Sequence, residues 1–284
     1  MRSLRPCTPA DVPALDTFLK AHIETSMFPL LNLRRFGPKG GAHHRAMRYW
    51  CAEGPDGITG VLAHGTTGTV MMQWPEAPDW AAARAVLAGR DIDGVLGATG
   101  QVRALLTALG LANAPKTLDE DEDLFALDLD GLDMPDTGDL RLVPLDRSLA
   151  GPLLPWRVDY ETDVLGSDPG TAEKTAARDM ADWAEAGSHR VLIRGDRPVA
   201  MTGFNAALDD IVQIGGVYTP PELRGRGYAR KAVALHLAEA RRNGARRAIL
   251  FSASETATRA YRAIGFRRIG SYSLVFFDGK RRVM

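Results

Sequence analysis

The sequence predicts a mixed α/β (α+β) fold in two domains, each a central sheet flanked by helices. The chain has 284 residues, which is more than one compact domain usually holds. A polar, turn-rich segment between Leu129 and Asp139 separates two blocks of similar length. Both blocks open with the pattern of a short strand, a turn and a helix, one from Ser3 and one from Asp139. We therefore expect domains at residues 1–133 and 139–284, with an indication of internal duplication.

Apolar patterning places the elements of the first block. The acidic run Asp119–Asp123 is interpreted as a solvated turn. Strands are predicted at Arg45–Glu53, Gly57–His64, Val70–Trp74, Ile92–Leu96 and Asp123–Leu129, and helices at Pro13–Thr25, Trp80–Leu87 and Gln101–Leu109.

The second block continues from its opening strand into a helical stretch and then places strands before a helix–strand–helix–strand series, an order typical of a mixed layer around one sheet. In its second helix, Met180 and Trp183 fall on one side. Helices are predicted at Leu149–Leu165, Thr171–Ala186, Arg226–Asn243 and Thr256–Ile264, and strands at His189–Arg194, Arg197–Asn205, Ile211–Tyr218, Ala248–Ala253 and Arg267–Phe277.

Composition argues against several classes of function. Lysine plus arginine and aspartate plus glutamate both number 35, so no global field favours nucleic acid or an anionic membrane. Cys7 and Cys51 cannot build a disulfide framework, and no Cys/His spacing predicts a metal site. The N-terminus lacks the apolar core of a signal peptide, and no apolar run approaches the roughly 20 residues of a membrane span. We expect a cytoplasmic protein without metal.

The residues between Tyr218 and Ala229 carry the clearest chemical signal. A strand ends at Tyr218, and two prolines after it prevent further ladder pairing. Two glycines then precede a helix, whose first N–H groups have no internal acceptor and whose dipole favours an anion. This order predicts a phosphate site, and the alternative is an ordinary helix start with solvated arginines. The glycines are Gly225 and Gly227, and the arginines are Arg224 and Arg226.

The spacing Arg-x-x-Gly-x-Gly/Ala, met by Arg224, Gly227 and Ala229, resembles the signature of the GNAT acyltransferase superfamily. The resemblance covers about Asp139 to Phe277 well and Met1 to Leu129 in outline. It implies a mostly antiparallel sheet in each domain and acetyl-CoA as co-substrate. By resemblance, backbone groups of Val217, Tyr218 and Thr219 meet the pantetheine arm, and the pyrophosphate lies against Arg224, Gly225, Arg226, Gly227, Tyr228 and Ala229.

A second element of the family follows, ending in Tyr-x-x-x-Gly-Phe. Ser254 and Thr258 stand where relatives often carry asparagines, one of which meets the coenzyme. Ser254 is also a good helix N-cap, which is the structural alternative. Tyr261 matches the tyrosine that often protonates the departing thiolate, and the alternative is a half-buried core tyrosine.

The implied chemistry is direct attack of an amine on the thioester, with the oxyanion held by a backbone N–H near Val217. Glu161 is taken as the candidate base, with Asp163, Asp210 and Glu222 as alternatives. No spacing singles out one of the four, and the alternative for each is an ordinary surface carboxylate. No Ser-His-Asp or Cys-His arrangement is evident, which favours direct transfer over an acyl-enzyme.

The first block lacks the arginine–glycine loop. Its nearest counterpart is Gly97–Arg103, between a predicted strand and a predicted helix. We interpret this block as a degenerate GNAT-like half that shapes the acceptor pocket or stabilises the fold. An unrelated α/β domain is the alternative.

Together these features predict an N-acetyltransferase that acts on a primary amine, either a small molecule or a protein. An acyl-CoA-binding sensor or scaffold without turnover is the alternative function. A longer acyl donor also fits, and the sequence leaves the oligomeric state open.

Overall fold

The computed structural model describes residues 4–163, 165–252 and 254–284, which form two compact units. The first unit contains the chain up to Glu122 together with Gly270–Met284, and the second is Asp123–Ile269. The boundaries fall inside the strands Lys116–Asp128 and Arg267–Arg282, and each of these strands is grouped with the unit in which it pairs with a neighbour. These units differ from the predicted division at 133 and 139, because the C-terminal segment of the chain belongs to the first unit. Ser3 and Ala253, where a strand was predicted to begin and another to end, lie outside the described residues.

In the first unit, six strands follow the order β1-β2-β3-β4-β5-β12. Neighbours are antiparallel except for β4 and β5, which are parallel. The strands are β1 (Arg5–Pro6), β2 (Met47–Gly54), β3 (Gly57–Gly65), β4 (Thr69–Gln73), β5 (Asp91–Ala98) and β12 (Arg267–Arg282), and the helices are α1 (Val12–Ala21), α2 (Ile23–Phe36), α3 (Trp80–Leu87) and α4 (Thr99–Leu109).

In the second unit, the order is β6-β11-β10-β9-β8-β7, again with a single parallel pair, β10 and β11. A short 3-10 turn at Pro221–Leu223 follows β10. The strands are β6 (Lys116–Asp128), β7 (Leu140–Pro144), β8 (His189–Arg194), β9 (Arg197–Leu208), β10 (Ile211–Tyr218) and β11 (Arg247–Ser252), and the helices are α5 (Arg147–Ala150), α6 (Leu154–Asp163), α7 (Pro169–Ala186), α8 (Tyr228–Arg242) and α9 (Glu255–Arg262).

The two units repeat one topology. Five strands in each follow the same order and directions, and the parallel pair occupies the same place. The sixth strand is exchanged between the halves of the chain: β6 closes the first half but pairs with β11, whereas β12 closes the second half but pairs with β5. The mixed α+β class with mostly antiparallel sheets is therefore confirmed, and the repeat agrees with the predicted duplication.

Helices cover both faces of the sheet in the second unit. Successive strand residues point to opposite faces. Val191 and Ile193 of β8 accordingly pack with Met180 of α7, whereas the intervening Leu192 packs with Tyr228 of α8. Met180 and Trp183 share a face of α7, as predicted.

Two sequence-based interpretations of the first half need correction. The helix predicted at Pro13–Thr25 ends at Ala21, and a second helix, α2, follows it. Pro29 inside α2 hid this helix from the pattern because proline is disfavoured in helix interiors. Burial of one apolar stripe offsets that cost, and the stripe includes Met27, Leu30 and Leu33.

The acidic run at Asp119–Asp123 is part of β6 and is not a turn. Paired cations explain how a strand tolerates it. In the first unit, Arg103 binds both Asp119 and Asp121. In the second unit, Arg268 binds Asp123 at 2.5 Å. These arginines come from distant parts of the chain. The local density of negative charge therefore predicted a solvated turn, because it carries no information about them.

Both cysteines of the chain are free and buried. Within the described ranges, no helix has the length and apolar character needed to cross a membrane. Nor do the described side chains include a group of three or more His, Cys, Asp or Glu arranged to hold a metal ion.

Candidate active site

The parallel strands β10 and β11 separate towards their carboxyl ends. Their pairing covers Ile211–Gln213 opposite Arg247–Ile249, while β10 runs on to Tyr218. The register of β10 against β9 also shifts between Gly215 and Tyr218, where Gly216 has φ 60°. A separation of this kind exposes strand backbone at the edge where ligands bind in open α/β sheets.

A buried histidine supports this irregular backbone. The imidazole of His189 covers Gly203 and Gly216, and a Cβ added to Gly216 would lie 2.7 Å from its Nε2. Trp183 stacks on the ring with 3.7 Å between centroids, and Nδ1 lies 2.9 Å from Ser188 Oγ. Burial is the main cause that holds the pKa of His189 well below its ordinary value, so the ring is neutral. No sequence pattern indicated this packing.

The glycine–arginine loop leads directly into α8. Gly225 and Gly227 have φ values of 78° and 73°, and Gly227 is the N-cap without any side-chain hydrogen bond. The first backbone bond into the helix runs from the Lys231 N–H to the Gly227 carbonyl at 3.1 Å. Within the described chain, the amides from Gly225 to Ala229 have no protein acceptor. A phosphate site requires exposed donors of this kind, and phosphate binding here stays a prediction.

The side chains of this loop serve its structure. Arg224 Nε donates to the Thr219 carbonyl at 3.0 Å and so ties the loop to the end of β10. Arg226 lies exposed near the Glu222 carbonyl. The ring of Tyr228 is buried against the sheet, and its hydroxyl accepts from Arg194 at 3.0 Å. Only the backbone amide of Tyr228 is left to face a ligand.

The second predicted element brings Tyr261 towards β10. Its ring is buried in a cluster that also contains Val212 and Ile214 of β10. Ser254 Oγ accepts from the Ala257 N–H at 3.4 Å, so this residue forms the N-cap of α9. The Thr258 hydroxyl lies 3.4 Å from that of Ser252. The N-cap alternative for Ser254 is thus realised, and coenzyme contacts of Ser254 and Thr258 stay predictions.

An aromatic and acidic face of α6 covers the end of β10. The rings of Trp156 and Tyr218 lie 5.8 Å apart, and the Tyr218 hydroxyl donates to Asp159 Oδ2 at 2.9 Å. Burial, together with Asp159, raises the pKa of Tyr218 to about 12, so its phenol stays protonated. Asp159 is not among the residues predicted from the sequence. Its i,i+3 spacing from Trp156 places both on one helix face and could have indicated it.

The carboxylate of Glu161 is buried and hydrogen-bonded, whereas a general base is expected to be accessible to the substrate. Glu161 is 4% exposed. One carboxylate oxygen accepts from Arg157 and the other accepts from Ser167 Oγ at 2.8 Å. Arg157 also binds Asp179 of α7 at 2.7 Å, so the cluster fastens α6 to α7. The catalytic role of Glu161 stays a prediction, and these contacts argue against it.

The three alternative bases are dispersed. Asp163 is exposed at the end of α6. Asp210 precedes β10, at the end away from the separated backbone, and its carbonyl accepts from the Arg246 N–H at 2.7 Å. Glu222 is exposed in the turn after β10.

The first unit has a different connection at the equivalent place. By strand order, the counterpart of the β10–α8 loop joins β4 to α3, so the predicted counterpart at Gly97–Arg103 corresponds instead to the β11–α9 junction. In the β4–α3 connection, the Asp79 carboxylate caps α3 by accepting from the Ala82 N–H at 2.9 Å. The Trp74 N–H donates to Gln101 at 2.6 Å. In this connection, protein side chains thus accept hydrogen bonds from backbone N–H groups. The corresponding N–H groups before α8 have no acceptor among the described residues.

Residues 156–266 match the family model described as "Acetyltransferase (GNAT) family". A GCN5-related N-acetyltransferase from Kribbella flavida is 16% identical with a TM-score of 0.59, and the match covers 91% of this chain and 95% of that one.

Two further solved structures have the same fold. A GCN5-related N-acetyltransferase from Sphaerobacter thermophilus is 15% identical with a TM-score of 0.57, over 99% of this chain and 95% of that one. A tandem GNAT protein from the clavulanic acid biosynthesis pathway is 15% identical with a TM-score of 0.57, over 96% and 97%. A search of curated proteins found no match.

Proposed function

Because the chain belongs to the GNAT acetyltransferase family through residues 156–266 and is an acyltransferase, we propose that it transfers an acetyl group from acetyl-CoA to a primary amine. The family uses acetyl-CoA as its co-substrate. The acceptor is a small molecule or a protein amine, and transfer proceeds by direct attack on the thioester.

The observation that carries this proposal is the set of free amides at the start of α8. Five consecutive residues, Gly225–Ala229, offer N–H groups that have no acceptor among the described residues, and most of the loop is exposed. A helix N-terminus carries about half a positive charge, and Arg226 adds a full one. Hydrogen bonds to a charged partner contribute about 1.5–3 kcal/mol each. These groups would hold the coenzyme's pyrophosphate.

The separated end of β10 would hold the thioester. Backbone groups of Val217 and Thr219 face the pantetheine arm in this arrangement, and Tyr218 contributes backbone alone because its side chain contacts α6. The Val217 N–H would stabilise the oxyanion of the tetrahedral intermediate. The bulge at Gly216 supports this placement because it turns the local backbone out of the regular ladder.

The reaction needs one acid and one base. The amine nitrogen forms a bond to the carbonyl carbon, and the carbon–sulfur bond then breaks. Tyr261 would give its phenolic proton to the leaving thiolate. Its ring lies in the apolar cluster that also includes Val212 and Ile214 of β10.

We assign a single coenzyme site to the chain. The β4–α3 connection of the first unit has no arginine or glycine, and it carries Glu76 and Asp79. A carboxylate on the helix start competes for the amides and repels a pyrophosphate. The first half would therefore be a degenerate GNAT-like half.

Calorimetric titration with coenzyme A tests the site. In the Gly227→Val variant, we expect affinity to fall by at least about 100-fold, or roughly 2.7 kcal/mol, because a β-branched residue resists φ 73° and its side chain crowds the amides. Gly244→Val is the matched control, since Gly244 follows the other end of α8 with φ 102° and open space around it. Equal coenzyme affinity in both variants would contradict the site.

Thiol release from acetyl-CoA with a panel of primary amines tests turnover. We expect release that depends on the amine. Stoichiometric coenzyme binding without release across a broad panel would identify a sensor or scaffold instead.

A further inference from the structure

We propose that Asp159 is the general base that takes the proton from the acceptor's ammonium group. The inference rests on the proposed function and adds a catalytic residue to the same site. It starts from one contact: Asp159 Oδ2 accepts from the Tyr218 hydroxyl at 2.9 Å.

This contact places a carboxylate at the functional end of β10. Tyr218 directly follows Val217, the residue whose N–H would hold the thioester oxygen. The ring of Tyr218 is buried, and Trp156 packs beside it at 5.8 Å. Asp159 itself is exposed, and one of its oxygens binds the phenol, so the other can reach the acceptor nitrogen or a bridging water. An activating base must lie within hydrogen-bond reach, directly or through one water.

The other carboxylates of α6 and α7 fit this task less well. Both oxygens of Glu161 are engaged, and Asp179 binds Arg157. Asp163 is near enough to act on Tyr218 electrostatically, but Asp159 is the carboxylate that Tyr218 hydrogen-bonds. Besides Asp159, the charged groups that act on Tyr218 are Asp163 on α6 and Arg224 on the loop.

Tyr218 acts as a positioning residue. Its pKa of about 12 keeps the phenol protonated across any ordinary assay range, so it donates to Asp159 throughout. That bond holds the Asp159 carboxylate in place beside the end of β10.

The proton balance is complete with groups on the chain. Asp159 accepts one proton from the ammonium, and the freed lone pair forms the carbon–nitrogen bond. The electrons of the carbon–sulfur bond leave on the thiolate, which takes the phenolic proton of Tyr261. The second proton of the nitrogen leaves through water and restores Tyr261, and the proton on Asp159 passes to solvent.

The test compares Asp159→Asn with the wild type over primary amines of graded pKa at pH 7.5. Asparagine still accepts a hydrogen bond from Tyr218 but cannot take a proton. For an amine of pKa near 10, we expect kcat/KM to fall by about 10²–10⁴-fold. The deficit should shrink towards unity as the amine pKa falls below the assay pH, because such an amine is already neutral.

Asp163→Asn is the matched control, since it removes the same charge from the same helix and is also exposed. We expect a change within about threefold that does not vary with amine pKa, the size of a surface electrostatic effect. Coenzyme affinity should be unchanged in both variants, which verifies their folding.

An Asp159→Asn deficit that is absent, or equal for every amine, would overturn the inference while wild-type turnover leaves the proposed function standing. No thiol release from wild-type protein that binds the coenzyme would overturn the proposed function and the inference together.

Discussion

The neutral, fully buried imidazole of His189 packs against the bulge of β10 at Gly216. A side chain at position 216 should therefore lower the stability of the protein. In Gly216→Ala, the added Cβ would lie 2.7 Å from His189 Nε2, and the stacked Trp183 prevents the ring from moving away. Left-handed strain of about 1–2 kcal/mol adds to overpacking of about 1–3 kcal/mol. We expect urea denaturation to show a loss of roughly 2–5 kcal/mol.

Gly195→Ala separates the two causes. Gly195 has φ 59°, almost the φ of Gly216, but nothing lies within 4 Å of its added Cβ. We expect only the strain, about 1–2 kcal/mol. Equal losses at both glycines would show that His189 does not constrain the bulge.

A substitution at Tyr261 tests the proposed general acid. Removing its hydroxyl in Tyr261→Phe leaves the buried ring in its cluster with Val212 and Ile214. We expect kcat to fall by about 10²-fold or more with coenzyme affinity nearly unchanged, because the phenol acts only as the thiolate leaves. Steady-state kinetics and calorimetric titration measure the two effects. An unchanged kcat would remove the proposed acid.

Single residues were predictable where local sequence fixes backbone chemistry. The order of proline, arginine and glycine before α8 indicated the free amides of Gly225–Ala229, and the structure has them. Asp159 and the burial of Glu161 were not predictable, because partners from other elements decide both. The packing of His189 against two glycines likewise depends on strand register.

At the scale of elements, β6 contains a glutamate, Glu122, whose titration should change the free energy of unfolding with pH. Burial, together with Glu120, raises the pKa of Glu122 to about 7. The folded state therefore holds this proton more tightly than the unfolded state, whose Glu titrates near 4.3. Stability contributed by the protonated form is complete below that pH and is lost as pH rises towards 7.

Thermal unfolding between pH 4.5 and 8 measures this contribution. In Glu122→Gln, we expect a smaller fall in Tm over this window than in the wild type. In Glu120→Gln, the fall should shift to lower pH, because only the repulsion is removed. An identical pH dependence in the wild type and Glu122→Gln would contradict the raised pKa.

Most elements were recognisable from periodicity, and the failures have physical causes. The predicted bounds of α3, β8 and β10 agree with the structure. α2 was missed because Pro29 lies inside it. The counterpart of the coenzyme loop was sought at glycines, whereas strand order places it at Trp74–Asp79, which has none.

At the scale of the whole molecule, the exchange of β6 and β12 sets which segments can fold. β12 and the residues after it supply Val275, Phe277 and Val283 to the core of the first unit. Residues 1–133 lack this strand, so β5 loses the partner and the apolar side chains that complete the first unit in the full chain.

We expect residues 1–133 expressed alone to lack a cooperative thermal transition and to bind a hydrophobic dye. The same fragment extended through a flexible linker by residues 267–284 should regain the transition. Cooperative unfolding of 1–133 near the Tm of the full chain would contradict this role of β12. The sequence pattern does not indicate this exchange. Both β6 and β12 are the last strand of their half of the chain, and a strand that paired within its own half would have the same position in the sequence.

Backbone hydrogen exchange with and without saturating coenzyme A tests the phosphate site most directly. We expect the exchange of the amides from Gly225 to Ala229 to slow markedly, and that of Trp74, Glu76, Ala77 and Asp79 to stay unchanged. Unaltered exchange at Gly225–Ala229 in the saturated protein would show that these donors do not bind the pyrophosphate.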